Sequence, residues 1–406
     1  MWNEHVICLS KWNQLKSMKE LQPENREIFE PDISFIVICK NEERCIERCI
    51  RSIQNEYAKN DEIIVIDTGS TDNSINIVSQ IDECRLIKKT WENDFSMIRN
   101  FGINLATKTW IFFIDADEIL IKGSIKNLKK SLMLLDYNSI SNVIISPLIV
   151  NSNLHVIREV KRIFKKNDGI FYYGCIHEEP RKNIEKSGAD LIHLFLDNVA
   201  LEHDGYKREI VKLKDKANRN TDLLKKMICV EPQNPRWKYF LCRDGRNSIN
   251  EMEYEYLLNE VIQLSSQEPI FLRYRIRATS DLISYFIDSD RLNEADILLN
   301  KLEKLDNDLS DIVYFRHFIK YVKCKKEIMQ IFQSLVECKK KYTDIEYGGI
   351  HSSYFHIDYL MGLLLFDLGE YQYAFQIYNH LEANEYIDLK EMFKNLYNQM
   401  TNFLNE

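Results

Sequence analysis

Three apolar, β-branched runs in the first 115 residues each break off in a polar loop. Ile33 to Ile38 ends in Cys39-Lys40-Asn41-Glu42-Glu43, Glu62 to Ile66 in Asp67-Thr68-Gly69-Ser70-Thr71-Asp72, and Trp110 to Ile114 in Asp115-Ala116-Asp117-Glu118. Short runs of this composition bounded by turn formers read as buried strands. Helical spacing follows the first two: Ile46, Ile50, Ile53 and Tyr57 after Asn41, a good helix N-cap, then Ile75, Val78 and Ile81. A short strand at 85–87 and a helix through Phe95, Ile98, Gly102 and Leu105 precede the third run. Repeated strand–helix units take right-handed crossovers and give a parallel, Rossmann-like sheet, with a ligand crevice outside the carboxyl ends of the strands. All these polar loops belong to that edge.

The loops exclude two ways of holding phosphate. No G-x-G-x-x-G follows the first strand and no G-x-x-x-x-G-K-[ST] occurs, so neither a dinucleotide fingerprint nor a P-loop is present. Phosphate would be held instead by Lys40, by Arg99, whose guanidinium can bind it bidentately, by amides around Gly69, or by a cation. Asp115 and Asp117 flank the small Ala116 and offer two carboxylates to one hard divalent cation. Downstream, 142–150 and 159–165 read as strands, with Arg158, Lys161 and Arg162 in or between them. GIFYYGCIHEEP (169–180) ends in His177-Glu178-Glu179-Pro180; Pro180 stops a regular element, and adjacent glutamates on an extended chain face opposite ways. NVALEHDGY (198–206) brings His203 to a loop, where a neutral imidazole can complete an aspartate site for magnesium or manganese. Taken singly, each feature has an ordinary structural role.

Composition narrows the class. With 406 residues, two or three domains are expected, and 45% hydrophobic residues supply their cores. A formal charge of -8 argues against a nucleic-acid binder that works by broad phosphate neutralisation. No apolar run approaches the roughly 18 to 20 residues of a membrane span, and the first residues mix charges into their apolar patch, unlike a secretory signal. A cytoplasmic protein is expected. Its ten cysteines lack a repeating C-x-x-C framework, which suits reduced thiols, and Cys45 and Cys49 read as ordinary helix packing.

VICKNEE (37–43), VIDTGSTDNS (65–74), NDFSMIRNFG (93–102) and FFIDADE (112–118), in that order, resemble the family 2 glycosyltransferases. The resemblance implies a GT-A fold and transfer of a sugar from a nucleoside diphosphate sugar. It assigns the nucleoside to the loops holding Lys40, Glu42, Asp67 and Ser70, although many relatives have two successive aspartates where this chain has Asp67-Thr68. It makes Asp117 a metal ligand, and Asp115, with Ala116, a ribose or bridging contact. A catalytic carboxylate and then a metal-binding histidine follow in such enzymes. That order fits Glu178 as general base, with Glu179 as the alternative and His177 as an orienting or acceptor-side contact, and His203 joining Asp117 on Mg2+ or Mn2+.

From about Thr221, proline and glycine become sparse and the pattern turns helical. Leu292 and Ala295 align with Tyr371 and Ala374 at a separation of 79 residues, about two units of a helical-hairpin repeat, and LGEYQYAFQIY resembles a tetratricopeptide-type (TPR) repeat. The expected organisation is a polar extension over 1–30, a GT-A domain over 31–220 and an α-helical, TPR-like domain over 221–406. Such a repeat offers a face for peptide or for a second subunit, or serves only to stabilise the catalytic domain. Together, WENDFSMIRN, the D-A-D, HEEP, H-D-G-Y at 203–206 and this tail resemble the bacterial peptide S-glycosyltransferases that modify glycocin bacteriocin precursors. That resemblance implies UDP-glucose as donor, a cysteine or serine side chain of a precursor peptide as acceptor, and a homodimer. A transferase acting on a cell-envelope saccharide and a non-catalytic peptide-binding scaffold are the alternatives.

Overall fold

The structure, a computed structural model of the 406-residue chain, describes residues 30–151, 156–184, 191–203, 211–306, 308–341 and 350–394, with backbone only at 211–218. The expected extension over 1–30, apart from Glu30, and the segment Asp204-Gly205-Tyr206 lie outside the described residues. The apolar runs form β1 (Ile33–Cys39), β2 (Glu62–Asp67) and β4 (Trp110–Asp115), with β3 (Cys84–Lys88) beside β2. The connecting helices are α1 (Ile46–Gln54), α2 (Ser74–Ser79) and α3 (Phe95–Leu105).

In the order β3-β2-β1-β4 all pairings are parallel. The register sets Cys39 beside Asp67 and Ile38 beside Asp115, so the loops after β1, β2 and β4 open at one edge. Alternate residues of these strands enter two cores. Phe35, Val37, Phe112 and Ile114 pack with α1 and with Leu128 and Leu132 of α4 (Ser124–Tyr137), while Ile36, Ile111 and Phe113 pack with Ile98 and Ile103 of α3. Both faces are covered, which is why the strands are apolar throughout rather than alternating. Asn41 does not cap α1, which starts five residues later. Asn41 takes a left-handed φ of +56°, and its Oδ1 accepts from the Thr71 amide at 2.7 Å, tying the β1 loop to the β2 loop.

Beyond β4 the sheet becomes mixed. β8 (Ile163–Lys165) pairs antiparallel with β4 and with β6 (Val143–Asn151), which runs parallel to β11 (Ile192–His203); β5 (Glu118–Leu120) closes the order antiparallel to β11, and β7 (Val156–Ile157) adds to β6. The strand expected at 159–165 is regular only over its last three residues. Just before them the Arg162 backbone bridges Ile145 and Phe113, while its side chain turns to carboxylates. Pro147, inside β6, has no N–H for the ladder, and there the register on β11 jumps from Leu196 to Ala200, bulging out the exposed Asp197 and Asn198. β9 (Phe171–Tyr173) and β10 (Glu179–Arg181) form a separate hairpin. The nine described cysteines are free thiols. Cys45 and Cys49 are buried, and burial pushes Cys45 up to about 12 and Cys49 well above the ordinary thiol value.

The chain divides into two compact units, Met1–Ala278 and Thr279–Glu406. Helices α5 (Val211–Val230), α6 (Pro235–Asp244) and α7 (Glu251–Leu264) belong to the first unit with the sheet, which therefore extends well past residue 220. α8 (Leu272–Asp288) carries the division. The second unit holds α9 (Leu292–Leu305), α10 (Ser310–Lys341), α11 (Phe355–Leu368) and α12 (Tyr371–Ala383). The repeat seen in the sequence holds in part: Ala295 and Ala374 are both buried, as are Leu299 and Leu302 on α9 and their counterparts Tyr378 and Leu381 on α12, whereas Leu292 is buried and its counterpart Tyr371 is exposed at the start of its helix. Each helix follows a left-handed residue, Asp290 or Gly369, two positions before its start. This helical-repeat region follows the α/β sheet unit, which is the fold class expected.

Candidate active site

Strand parity aims the D-A-D. Asp115 continues the face of Ile111 and Phe113, on which α3 lies, so it meets Arg99 (Nη2 to Oδ1, 3.6 Å), whose guanidinium sits 5.1 Å from the centre of the Phe113 ring. From just before β8, Arg162 donates to Asp115 Oδ2 at 2.5 Å and to Glu118 Oε2. Arg99 Nε in turn donates to Glu178 Oε1 at 2.5 Å. The result is a mostly buried relay of alternating charge, Glu118–Arg162–Asp115–Arg99–Glu178, joining the D-A-D to the HEEP loop. Burial works against a charged Asp115, but Arg162 and Arg99 outweigh it and hold the carboxyl below its ordinary range. Burial, with Asp115 nearby, pushes Glu118 up to about 7 against the pull of Arg162.

Asp117 meets His203 through a strand too short to carry a sequence period. β5 pairs with the end of β11 so that His203 lies opposite Glu118, and its Nε2 comes to 3.1 Å from Asp117 Oδ2. The Asp117 hydrogen bond raises His203 above its ordinary value although burial opposes this. Two ligands at about 2.1 Å from one cation and at right angles lie about 3 Å apart, so this oxygen–nitrogen pair fits a shared hard cation. Among the described residues no group of three or more His, Cys, Asp or Glu is gathered for a metal. A cation here would take its other ligands from diphosphate and water, as magnesium commonly does. Asp115 is committed to two arginines and is the poorer donor.

At the nucleoside edge, Asp67 is buried, its Oδ2 accepting from the Gly69 amide at 3.0 Å and from the Ser70 amide at 3.2 Å. Ser70 Oγ accepts from the Asn41 amide at 2.8 Å, and the Glu42 amide donates to Ser74 Oγ at 2.8 Å. The Glu42 carboxylate accepts from the Cys45 thiol. Lys40 is exposed at the end of β1, and Ala116 is buried between the two aspartates. The structure thus brings Asp67, Ser70 and Glu42 into one interlocked pair of loops at the sheet edge that also carries the D-A-D.

The glutamates of HEEP part company. Glu178 gives Oε1 to Arg99 and, among the described residues, leaves Oε2 without a hydrogen bond, whereas Glu179 points inward, Oε1 accepting from Arg181 at 3.0 Å and Oε2 from Arg236 at 2.6 Å. Arg181 also binds Glu231 at 2.7 Å. His177 takes a left-handed φ of +48°; its Nε2 lies 2.5 Å from Asp244 Oδ2 and its ring stacks on Phe240 at 4.0 Å and 19°. Neither Arg236, Phe240 nor Asp244 was singled out from the sequence. Their spacing of four on PRWKYFLCRDG (235–245) was the available signal.

Residues 34–195 match the family model Glycosyl transferase family 2. Over 331 residues, 80% of this chain and 75% of the relative, the chain is 29% identical to the SPbeta prophage-derived glycosyltransferase SunS of Bacillus subtilis (strain 168). It is 36% identical over 100 residues, 25% of this chain and 24% of the relative, to a TPR repeat-containing protein of Synechococcus elongatus. Among solved structures, S. aureus TarS gives a TM-score of 0.35 at 15% identity, covering 68% of this chain, which spans about half (53%) of the TarS chain. That structural likeness is too weak to bear on chemistry. The matched segment contains β1, β2, β4, the D-A-D and both glutamates of HEEP, so it is over residues 34–195 that the chain is similar to glycosyl transferase family 2.

Proposed function

We propose that this protein is an inverting, metal-dependent glycosyltransferase of the cytoplasm. It moves glucose from UDP-glucose to a cysteine thiol, or a serine hydroxyl, of a ribosomally made bacteriocin precursor, and acts as a homodimer. The observation that carries the reading is the relay from Glu118 to Glu178, which sets one free carboxylate oxygen beside the D-A-D. The peptide acceptor is supported by the motif resemblance and by the extent of similarity to SunS.

In this reading the loops of Lys40, Glu42, Asp67 and Ser70 hold the nucleoside, and Asp115 faces the ribose. Asp117 and His203 would hold Mg2+ or Mn2+, which when bound supplies Lewis-acid stabilisation of the departing diphosphate. Arg99 adds fixed positive charge and keeps Glu178 oriented. Glu178 Oε2 accepts the acceptor's proton as the sulfur–anomeric carbon bond forms and the anomeric carbon–oxygen bond to diphosphate breaks. One displacement with base and leaving group on opposite faces inverts the anomeric centre. A thiol of pKa about 8.5 asks little of that base. Glu179, with both oxygens bound to arginines, is not free for the role.

UDP release from UDP-glucose, measured with magnesium or manganese and again after chelation, tests the enzyme reading. Release lost on chelation is expected; no release from any common UDP-sugar with either cation would overturn it.

A further inference from the structure

One face of α6 holds the whole HEEP turn. Arg236, Phe240 and Asp244 lie four residues apart and so share a stripe of the helix. Arg236 Nη2 donates to the His177 carbonyl, and Arg236 Nη1 donates to Glu179 at 2.6 Å. Phe240 lies flat under the His177 ring, and Asp244 takes its Nε2. Next to the stripe, Trp237 covers Gly174, leaving no room for a side chain there: a Cβ would fall 2.5 Å from the indole. Asp244 is itself held by Arg243 Nε at 2.6 Å. The turn is thus gripped at Gly174, at the backbone and ring of His177, and at Glu179, with Glu178 between the last two.

The grip leaves a specific surface. With Asp244 accepting from Nε2, a neutral His177 carries its proton there and Nδ1 keeps its lone pair. The ring is partly exposed, and among the described residues Nδ1 has no hydrogen-bond partner and is the polar atom open to a ligand. Glu178, the next residue, has Oε2 free among the described residues.

We infer that α6 is the positioning element of the acceptor half of the site, and that Asp244 acts through His177, presenting Nδ1 as the hydrogen-bond acceptor that aligns the incoming S–H or O–H group beside Glu178. This rests on the transferase reading above. Asp244 touches no substrate; it is a positioning residue. The donor half, built on β1, β2, β4 and β11, meets the gripped turn through Glu178 and Arg99 rather than through Asp244 or Phe240.

The test is a double-mutant cycle on transfer of sugar to a cysteine-containing peptide, with Asp244→Asn, His177→Ala and the double variant. Each single change is expected to lower transfer kcat/KM by about 10- to 100-fold, the scale of a misaligned reactant, with the donor KM of Asp244→Asn within about twofold of wild type. The double variant should be no slower than His177→Ala, because Asp244 has nothing left to position. Phe240→Leu, which keeps apolar volume but loses the flat ring, should reproduce the Asp244→Asn pattern and serves if that variant misfolds. Effects that multiply in the double variant, or a donor KM that rises in step with the loss of transfer, would overturn the inference while leaving the enzyme reading intact. A wild-type protein that neither hydrolyses donor nor transfers sugar overturns both.

Discussion

At the residue scale, each carboxylate of the site has a separate environment, and the environments separate their expected effects. Asp117 faces His203, whereas Glu178 faces Arg99. Asp117→Ala should abolish turnover with loss of metal dependence, whereas Glu178→Gln should bind UDP-glucose nearly as wild type and transfer at least 100-fold more slowly, the usual contribution of a positioned base. Equal loss of donor affinity in both, by calorimetric titration, would refute the division. Lys161 gives a pH prediction. Burial, reinforced by Arg273, pushes it down from 10.5 to about 7. Between those values the unfolded chain binds a proton that the folded protein does not, so Lys161 costs stability that grows as pH falls from about 10 to 7 and is constant below. Lys161→Met should therefore be more stable than wild type, with a melting-temperature difference that widens from pH 9.5 to pH 7. A difference flat across that range would contradict this.

At the element scale, long strands were legible and short ones were not. β1, β2 and β4 are runs of six or seven residues with both faces buried, so composition alone marks them. β5, β8 and β10 have three residues each, too few for any period, yet β5 brings His203 to Asp117, and Arg162, just before β8, reaches Asp115. The D-A-D and His203 could be foreseen at strand ends because each ends an apolar run, but His203, expected in a loop, is the last residue of β11 and is paired with Glu118. The choice between Glu178 and Glu179 could not, because their partners, Arg99 and Arg236, lie far from HEEP in the chain. The grip of α6 on that loop also makes a prediction. Gly174 has φ +104° and Trp237 against its α-carbon, so Gly174→Ala imposes both a left-handed side-chain residue and an overlap. Chemical denaturation should show a loss of about 2 to 4 kcal/mol, and a loss below about 0.5 kcal/mol would mean the loop does not press on α6.

At the scale of the whole molecule, the chain joins a sheet unit similar over residues 34–195 to glycosyl transferase family 2 to a helical unit in which three buried positions of α9 recur on α12, 79 residues later. The repeat was visible in the sequence because a buried alanine recurs at the same place in the pattern, at Ala295 and Ala374. The length of the sheet unit was less visible, because α5 to α7 are helical in composition yet group with the sheet. The measurement that bears most directly on the function is the intact mass of a cysteine-containing precursor peptide after incubation with the full chain, UDP-glucose and magnesium or manganese. A gain of one hexose, lost when the acceptor cysteine is replaced by alanine and strongly slowed by Glu178→Gln, is the predicted result. An unmodified peptide in the presence of steady UDP release would contradict the assignment of a peptide side chain as acceptor.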